Sequence, residues 1–321
     1  MTYYKQKGKK KNIKYFVLVL SSLLVCISAI FLLKNIMDED ITKIKSPIKS
    51  QDPVISNNIN KTLNTNSLYS SNAILISLDN NEILLDISSN EKIYPASLTK
   101  IMTAILAIEN SPDLNKLILL PKSMFKQLYS KNASMAGFLP NEKVEAIDLI
   151  YGVLLPSGAE SSISLANSIS GSEKKYVKLM NEKAKELEMN DTNFTNTTGL
   201  HDKKHYSTVK DISKLLKYAL KNDTFRKIYT SKQHTTKATN LHPNGITFQS
   251  TMFKHMDKST VNKGTILGGK TGYTEEAKLC LASLAKVDGK EYILVTTNAN
   301  GSPNTEQLNI LDAFAVYNKI P

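Results

Sequence analysis

Residues Tyr94–Ala104 read YPASLTKIMTA, and their reading turns on whether Ser97 and Lys100 act as a pair. The spacing alone says little, because S-x-x-K starts at six further positions: Ser46, Ser89, Ser123, Ser172, Ser207 and Ser283. A serine and a lysine three apart share a face only on a helix. Ser283 lies in a strand pattern, where such residues face opposite sides. Ser46 is followed by Pro47, Ser89 and Ser172 sit in polar turns, and Ser123 precedes a polar stretch. Ser207 heads a helix, but STVKD reads as an N-terminal cap. Only Ser97 opens a segment, Ser97–Glu109, whose apolar residues Leu98, Ile101, Met102, Ile105 and Leu106 have the spacing of a buried helix. A hydroxyl there stands near free backbone N–H groups. A partly buried lysine beside it loses proton affinity and becomes a base.

Outward from that stretch, the chain has strands at both ends and helices between. AILISLD and EILLDIS flank Asn80–Asn81, a hairpin signal because asparagine tolerates positive φ. Helical periodicity recurs at 144–155, 161–168, 173–187 and 209–220. GTILGGKTG, KLCLASLAKVDG and EYILVTTNA are strand-like, and TEQLNILDAFAVYNKI closes the chain as an amphipathic helix. The expected fold class is α/β (α+β), with one antiparallel sheet built from both chain ends, flanking helices and a helical insertion.

The 321 residues carry a formal charge of +12, but six lysines precede residue 15, which leaves +6 for the rest. With no nucleic-acid-binding motif, a nucleic-acid partner is not expected. Residues 1–14 read as a basic cytoplasmic leader. The uncharged run YFVLVLSSLLVCISAIFLL, 15–33, is long enough for one membrane-spanning anchor. A cleaved signal peptide is the competing reading, but its apolar region would be shorter and ISA is a poor cleavage site. Residues 34–69, rich in Asn, Ser, Lys and Thr, read as a flexible tether, and 70–321 as the exported domain. The expected location is the cell membrane, single-pass, with the domain extracytoplasmic. Cys26 and Cys280 would lie on different sides of that arrangement, so no disulfide is expected.

Two more motifs follow YPASLTK. LLPSGAESS places Ser157 at a break between helices, and GGKTGYT places Lys270, Thr271, Gly272 and Tyr273 on a strand whose glycines let a ligand backbone come close. In this order the three motifs, with FTNTTGLHDKKHYSTVKDI, resemble the penicillin-recognising serine D,D-peptidases. More narrowly they resemble the D-alanyl-D-alanine carboxypeptidases of low-molecular-mass type, over roughly residues 70–299. The resemblance implies a serine β-lactamase/D,D-peptidase-like fold and removal of the terminal D-Ala from peptidoglycan stem pentapeptides. It also implies acylation by β-lactams, a part in peptidoglycan biosynthesis and cell shape, and no cofactor or metal.

Carried over residue by residue, Ser97 would be the nucleophile and Lys100 its base. Ser157 would relay a proton to the leaving amine. Lys270 would help keep Lys100 neutral and, with Thr271, bind the terminal carboxylate. The N–H groups of Ser97 and Tyr273 would form the oxyanion hole. The family's middle motif usually has asparagine where Ala159 stands, which implies an altered rate or preference. The chain ends about fifty residues after Lys270, so the C-terminal β-domain of many relatives is expected to be absent and the N-terminal anchor to replace its membrane helix.

Alternatives stay open. A non-catalytic penicillin- or muropeptide-binding protein is one, motivated by Ala159. A β-lactamase is another, though no S-D-N and no deacylating glutamate are found. Alone, Lys270 would read as an edge-strand lysine that discourages aggregation. Glu160 and Glu173 read as solvated helix residues. His201 and His205 are four apart but lie in a loop without a third ligand, against a metal site.

Overall fold

The computed structural model describes residues 68–321. The leader, the apolar run and nearly all of the tether fall outside the described residues. Two strands open the domain, β1 (Asn72–Ser77) and β2 (Ile83–Ile87), and Asn81 at their turn has φ +61° as the hairpin requires. A 3-10 turn, Ala96–Thr99, then leads into α1 (Lys100–Asn110). The insertion follows, with β3 (Leu117–Leu119), α2 (Phe125–Ser130), β4 (Lys143–Glu145), α3 (Ala146–Leu154), α4 (Ala159–Ser170) and α5 (Glu173–Glu186). After it come α6 (Val209–Ala219), α7 (Asp223–Tyr229), β5 (Gln233–Thr235) and β6 (Thr247–Gln249). The chain returns to the sheet with β7 (Thr260–Val261), β8 (Gly264–Thr274), β9 (Lys278–Val287) and β10 (Lys290–Ala299), and ends with α8 (Leu308–Tyr317).

The main sheet runs β2-β1-β10-β9-β8-β7, so the two chain ends meet at the antiparallel β1–β10 pair, as expected. Its strands are apolar on both faces because helices cover both. Along β9, Cys280, Ala282 and Leu284 enter one core with α1, α3 and α6. The alternate residues Leu281, Ala285 and Val287 enter a second core under α8. The strand period of two divides one sequence between two cores. Ser283 belongs to the second face: its hydroxyl lies 3.0 Å from the Tyr317 hydroxyl, which also donates to the Ser283 carbonyl at 3.1 Å. The domain's start is fixed by Asp312 on α8, whose two carboxylate oxygens accept from the N–H groups of Tyr69 and Ser70, each at 2.9 Å.

Helix starts follow the capping residues in the sequence. Ser172, Thr208 and Asn222 each accept a backbone N–H from the first turn of the helix behind them. The cap that STVKD announced is Thr208. Ser207 is buried and pairs with Ile93. The ribbons β3–β4 and β5–β6 and the short helices α2 and α7 were not expected, since three to seven residues carry too little periodicity.

Candidate active site

Pro95 breaks the preceding extended segment, and Ala96 adopts φ +45° before the 3-10 turn that carries Ser97. This left-handed residue is held from outside. Gly199 lies so close that a Cβ there would come within 1.8 Å of the Ala96 carbonyl oxygen. Ser97 is half-buried at the mouth of α1, while Lys100 is 2% exposed. The Lys100 Nζ donates to Ser97 Oγ at 3.1 Å and to the Thr198 carbonyl at 2.6 Å. Burial lowers the Lys100 pKa to about 7, with the Glu160 carboxylate acting weakly in the opposite direction. Half of this lysine is therefore neutral near pH 7, with its lone pair available to the serine proton. None of the other S-x-x-K lysines combines burial with a serine contact among the described residues.

Lys270, near the middle of β8, is fully buried, which removes the edge-strand reading. Its ammonium donates to the Thr271 carbonyl at 2.7 Å. Burial first, and the charge of Lys100 second, hold its pKa well below the ordinary lysine range. Like-charge repulsion is therefore felt at Lys270, whereas burial is the main cause at Lys100. The Thr271 hydroxyl meets that of Thr251 at 2.6 Å. Gly272 presses on the Ser97 backbone, since a Cβ there would stand 3.0 Å from Ser97 N and 3.2 Å from Ala96 Cβ. Gly268 and Gly269 were expected to admit a ligand, but they face the protein. A Cβ on either would come within 2.4 Å of the Tyr229 carbonyl or Met252 Sδ respectively. β7 pairs with only Gly264 and Thr265, so β8 from Gly268 onward has no strand on its outer edge among the described residues.

Ser157 occupies the break between α3 and α4 with φ +69°, a strained conformation for a residue with a side chain. Its Oγ is buried and has no partner among the described residues. Ser97, Ser157, Thr271, Gly272 and Tyr273 line one cleft of about 320 Å³. Ser157 lines that cleft, and its buried hydroxyl makes no bond to Lys100.

Glu160 overturns its expected solvation. It is fully buried, and its Oε1 accepts from the N–H groups of Ala136 and Gly137 at 2.7 and 3.0 Å. Burial pushes its carboxyl pKa up, against the backbone hydrogen bonds that pull it down. Glu173 is a clamp as well, with Oε1 accepting from the N–H and hydroxyl of Thr197. His205 is a structural residue: Thr195 N–H donates to Nδ1 at 3.0 Å and Nε2 faces the Thr99 hydroxyl at 2.7 Å. Burial depresses its pKa to about 4, so it is neutral with both nitrogens engaged. Cys280 is a free buried thiol whose pKa burial raises to about 12.

Sequence reasoning missed several cleft residues. The Thr198 carbonyl holds Lys100, and a backbone acceptor leaves no mark on composition. Asn132, Ser134, Thr251, Gln307 and Asn309 also line the cleft, and their contribution comes from tertiary placement.

A buried lysine against a serine at a helix start, beside an open sheet edge, on a sheet with helices on both faces, defines a serine hydrolase of β-lactamase-like fold. The chain matches the D-alanyl-D-alanine carboxypeptidase family (peptidase family S11) over residues 59–301 and belongs to it. It is 35% identical over 265 residues to the D-alanyl-D-alanine carboxypeptidase DacF of Bacillus subtilis, covering 78% of this chain and 63% of that one. A D-alanyl-D-alanine carboxypeptidase from a Streptomyces strain (K15) is 29% identical, over 69% of this chain and 77% of its own. The crystal structure of the DD-transpeptidase of Streptomyces K15 superposes with TM-score 0.70 and 25% identity, covering 79% of this chain and 97% of that chain. Penicillin binding protein 5 of Haemophilus influenzae shares the fold, with TM-score 0.67 and 24% identity over 77% of this chain and 69% of that one. The chain thus spans just under two thirds of the Bacillus relative's length.

Proposed function

We propose that this protein is a serine D-alanyl-D-alanine carboxypeptidase that removes the terminal D-Ala of peptidoglycan stem pentapeptides through an acyl-enzyme, and that penicillin acylates it. The observation that carries this reading is the Lys100–Ser97 contact of 3.1 Å, made by a buried lysine with a pKa of about 7. A protein that only binds muropeptides has no need of a lysine held half-deprotonated against a serine.

In this reading the peptide lies along the open edge of β8. Its terminal carboxylate meets Thr271, with Lys270 beneath, whose lowered proton affinity an incoming anion would raise. Ser97 Oγ attacks the penultimate carbonyl as its proton passes to Lys100 Nζ. The oxyanion is held by the N–H groups of Ser97 and Tyr273, an arrangement worth several kcal/mol in acyl transfer. The C–N bond breaks as the proton on Lys100 reaches the leaving amine through Ser157, and D-Ala departs. Water then adds to the ester, giving its proton to Lys100, and the shortened peptide leaves with Ser97 restored. A β-lactam follows the same first step, but its amine stays tethered to the acyl group.

Membrane attachment belongs to the same proposal. Residues 15–33 are apolar, follow a lysine-rich leader and would anchor an extracytoplasmic domain. Protease added to intact spheroplasts should then release the domain, and protection from it would overturn this topology. The activity is tested by D-alanine release from a stem pentapeptide. Steady turnover that disappears in Ser97→Ala is expected. Penicillin binding without release would favour a sensor, and rapid nitrocefin turnover a β-lactamase.

A further inference from the structure

Three side-chain amides line the cleft, those of Asn132, Gln307 and Asn309. Two of them have their NH2 group committed inside the protein, although Asn309 Oδ1 is buried without a partner among the described residues. Gln307 Nε2 donates to the carbonyls of Ser302 and Thr305 at 3.1 and 2.7 Å, and Asn309 Nδ2 donates to the Cys280 carbonyl at 2.9 Å. Asn132 differs. It is exposed to the solvent of the cleft, and its side chain has no hydrogen-bond partner among the described residues. A free primary amide offers a donor and an acceptor in one plane, which is what a peptide group needs in return.

The position of Asn132 is built rather than incidental. It follows α2 with φ +48°, a conformation that asparagine tolerates better than most residues. Backbone bonds from Asn132 N to the Tyr129 carbonyl and from Ala133 N to the Leu128 carbonyl close the end of that helix. Two residues on, the Ser134 carbonyl accepts from Ala159 N at 2.8 Å. The Glu160 carboxylate then takes the N–H groups of Ala136 and Gly137. Three hydrogen bonds therefore tie this loop to the first turn of α4, directly behind Ser157. Ala159 itself presents no polar side-chain group, so the polarity of this wall comes from Asn132, Ser134 and Ser157.

We propose that Asn132 is a substrate-positioning residue whose side-chain amide pairs with the peptide group on the acyl side of the scissile bond, and that the Glu160 staple holds it there. The proposal rests on Ser97 as the nucleophile. The side of the bond follows from the substrate. The leaving D-Ala contributes an amine, a methyl and a carboxylate, and no peptide group other than the one being cut. The next peptide group lies on the acyl side.

The test compares acylation rates of the wild type, Asn132→Gly, Glu160→Gln and the double variant with two β-lactams. Benzylpenicillin carries an acylamido group, whereas aminopenicillanic acid has a bare amine at that place. Glycine is chosen because it accepts the positive φ. Asn132→Gly should slow benzylpenicillin roughly three- to tenfold, the value of one or two net hydrogen bonds, and leave aminopenicillanic acid within about twofold. Glu160→Gln should lower the benzylpenicillin-to-aminopenicillanic ratio in the same direction, and the double variant should show the Asn132→Gly ratio and no further loss. Equal slowing of both compounds, or of neither, would overturn the proposal. If Asn132→Gly does not fold, Asn132→Asp keeps the shape, removes the donor, and must show the same selective loss. Adducts that persist in Ser97→Ala would instead sink the nucleophile assignment, so the two failures are distinguishable.

Discussion

The rate of acylation should titrate with Lys100. A lysine in water has a pKa near 10.4 and is almost fully charged at neutral pH. Lys100 is held at about 7 by burial, in contact with Ser97 and the Thr198 carbonyl, with Glu160 as the opposing charge; Lys270 and His205 are the other titratable groups that feel its charge. The base must be neutral to take the serine proton. One pH unit below the pKa about a tenth of the enzyme is competent, and one unit above it about nine tenths. The second-order acylation rate with a fluorescent penicillin should therefore rise roughly tenfold between about pH 6 and about pH 8, then level off. His205 does not confuse the curve, because burial places its titration near pH 4. A rate that is flat across this window, or that keeps rising to about pH 10, would show that Lys100 is not the base or is not desalted of its charge by burial. Glu160→Gln, which removes the charge that raises the Lys100 pKa, should move the midpoint toward lower pH.

The same burial costs stability. Because the folded pKa of Lys100 lies below the unfolded one, the penalty is complete below about pH 7 and fades as pH rises toward 10.5. Its size is about 5 kcal/mol, from roughly 1.4 kcal/mol per unit of pKa. Lys100→Met removes it but leaves the Thr198 carbonyl without its donor, a loss of about 1–3 kcal/mol. The variant should melt several degrees higher at pH 6, lose that advantage in alkali, and acylate at least about a hundredfold more slowly. Lys270→Ala should weaken carboxylate-bearing ligands most, read as a selective rise in KM against a methyl-ester analogue; unchanged affinity would make Lys270 structural. Ala159→Asn should change D-alanine release by no more than about tenfold, since one hydrogen bond is at stake and Asn132 already presents an amide to the cleft. Recovery of release from an inactive wild type would instead support the sensor reading.

Much of this architecture is legible in the residues. The short apolar runs of β1, β9 and β10 with their Gly and Asp-Gly punctuation, the Asn81 turn, and the apolar face from Leu98 to Leu106 each place an element by local physics. The Ser97–Lys100 pair separates from six decoys because only it stands at the start of a buried helix. Long-range pairings are what the sequence conceals. Glu160 looks solvated by its polarity, and nothing local predicts that the N–H groups of Ala136 and Gly137 will turn toward it. The acceptor for Lys100 is the Thr198 carbonyl, a group every residue has. Gly268 and Gly269 looked like ligand contacts, yet Tyr229 and Met252 explain them. Asn132 lies 35 residues beyond Ser97 in a polar stretch that carries no pattern, and only the fold brings it to the cleft.

The central claim is that Ser97 becomes covalently acylated with Lys100 as its base. Intact-mass analysis of the full chain after addition of benzylpenicillin, followed by peptide mapping, tests it most directly. One adduct per chain on the peptide bearing Ser97 is expected, absent in Ser97→Ala and slow to form in Lys100→Ala. An adduct on Ser123 or Ser207, or one that survives in Ser97→Ala, would contradict the account.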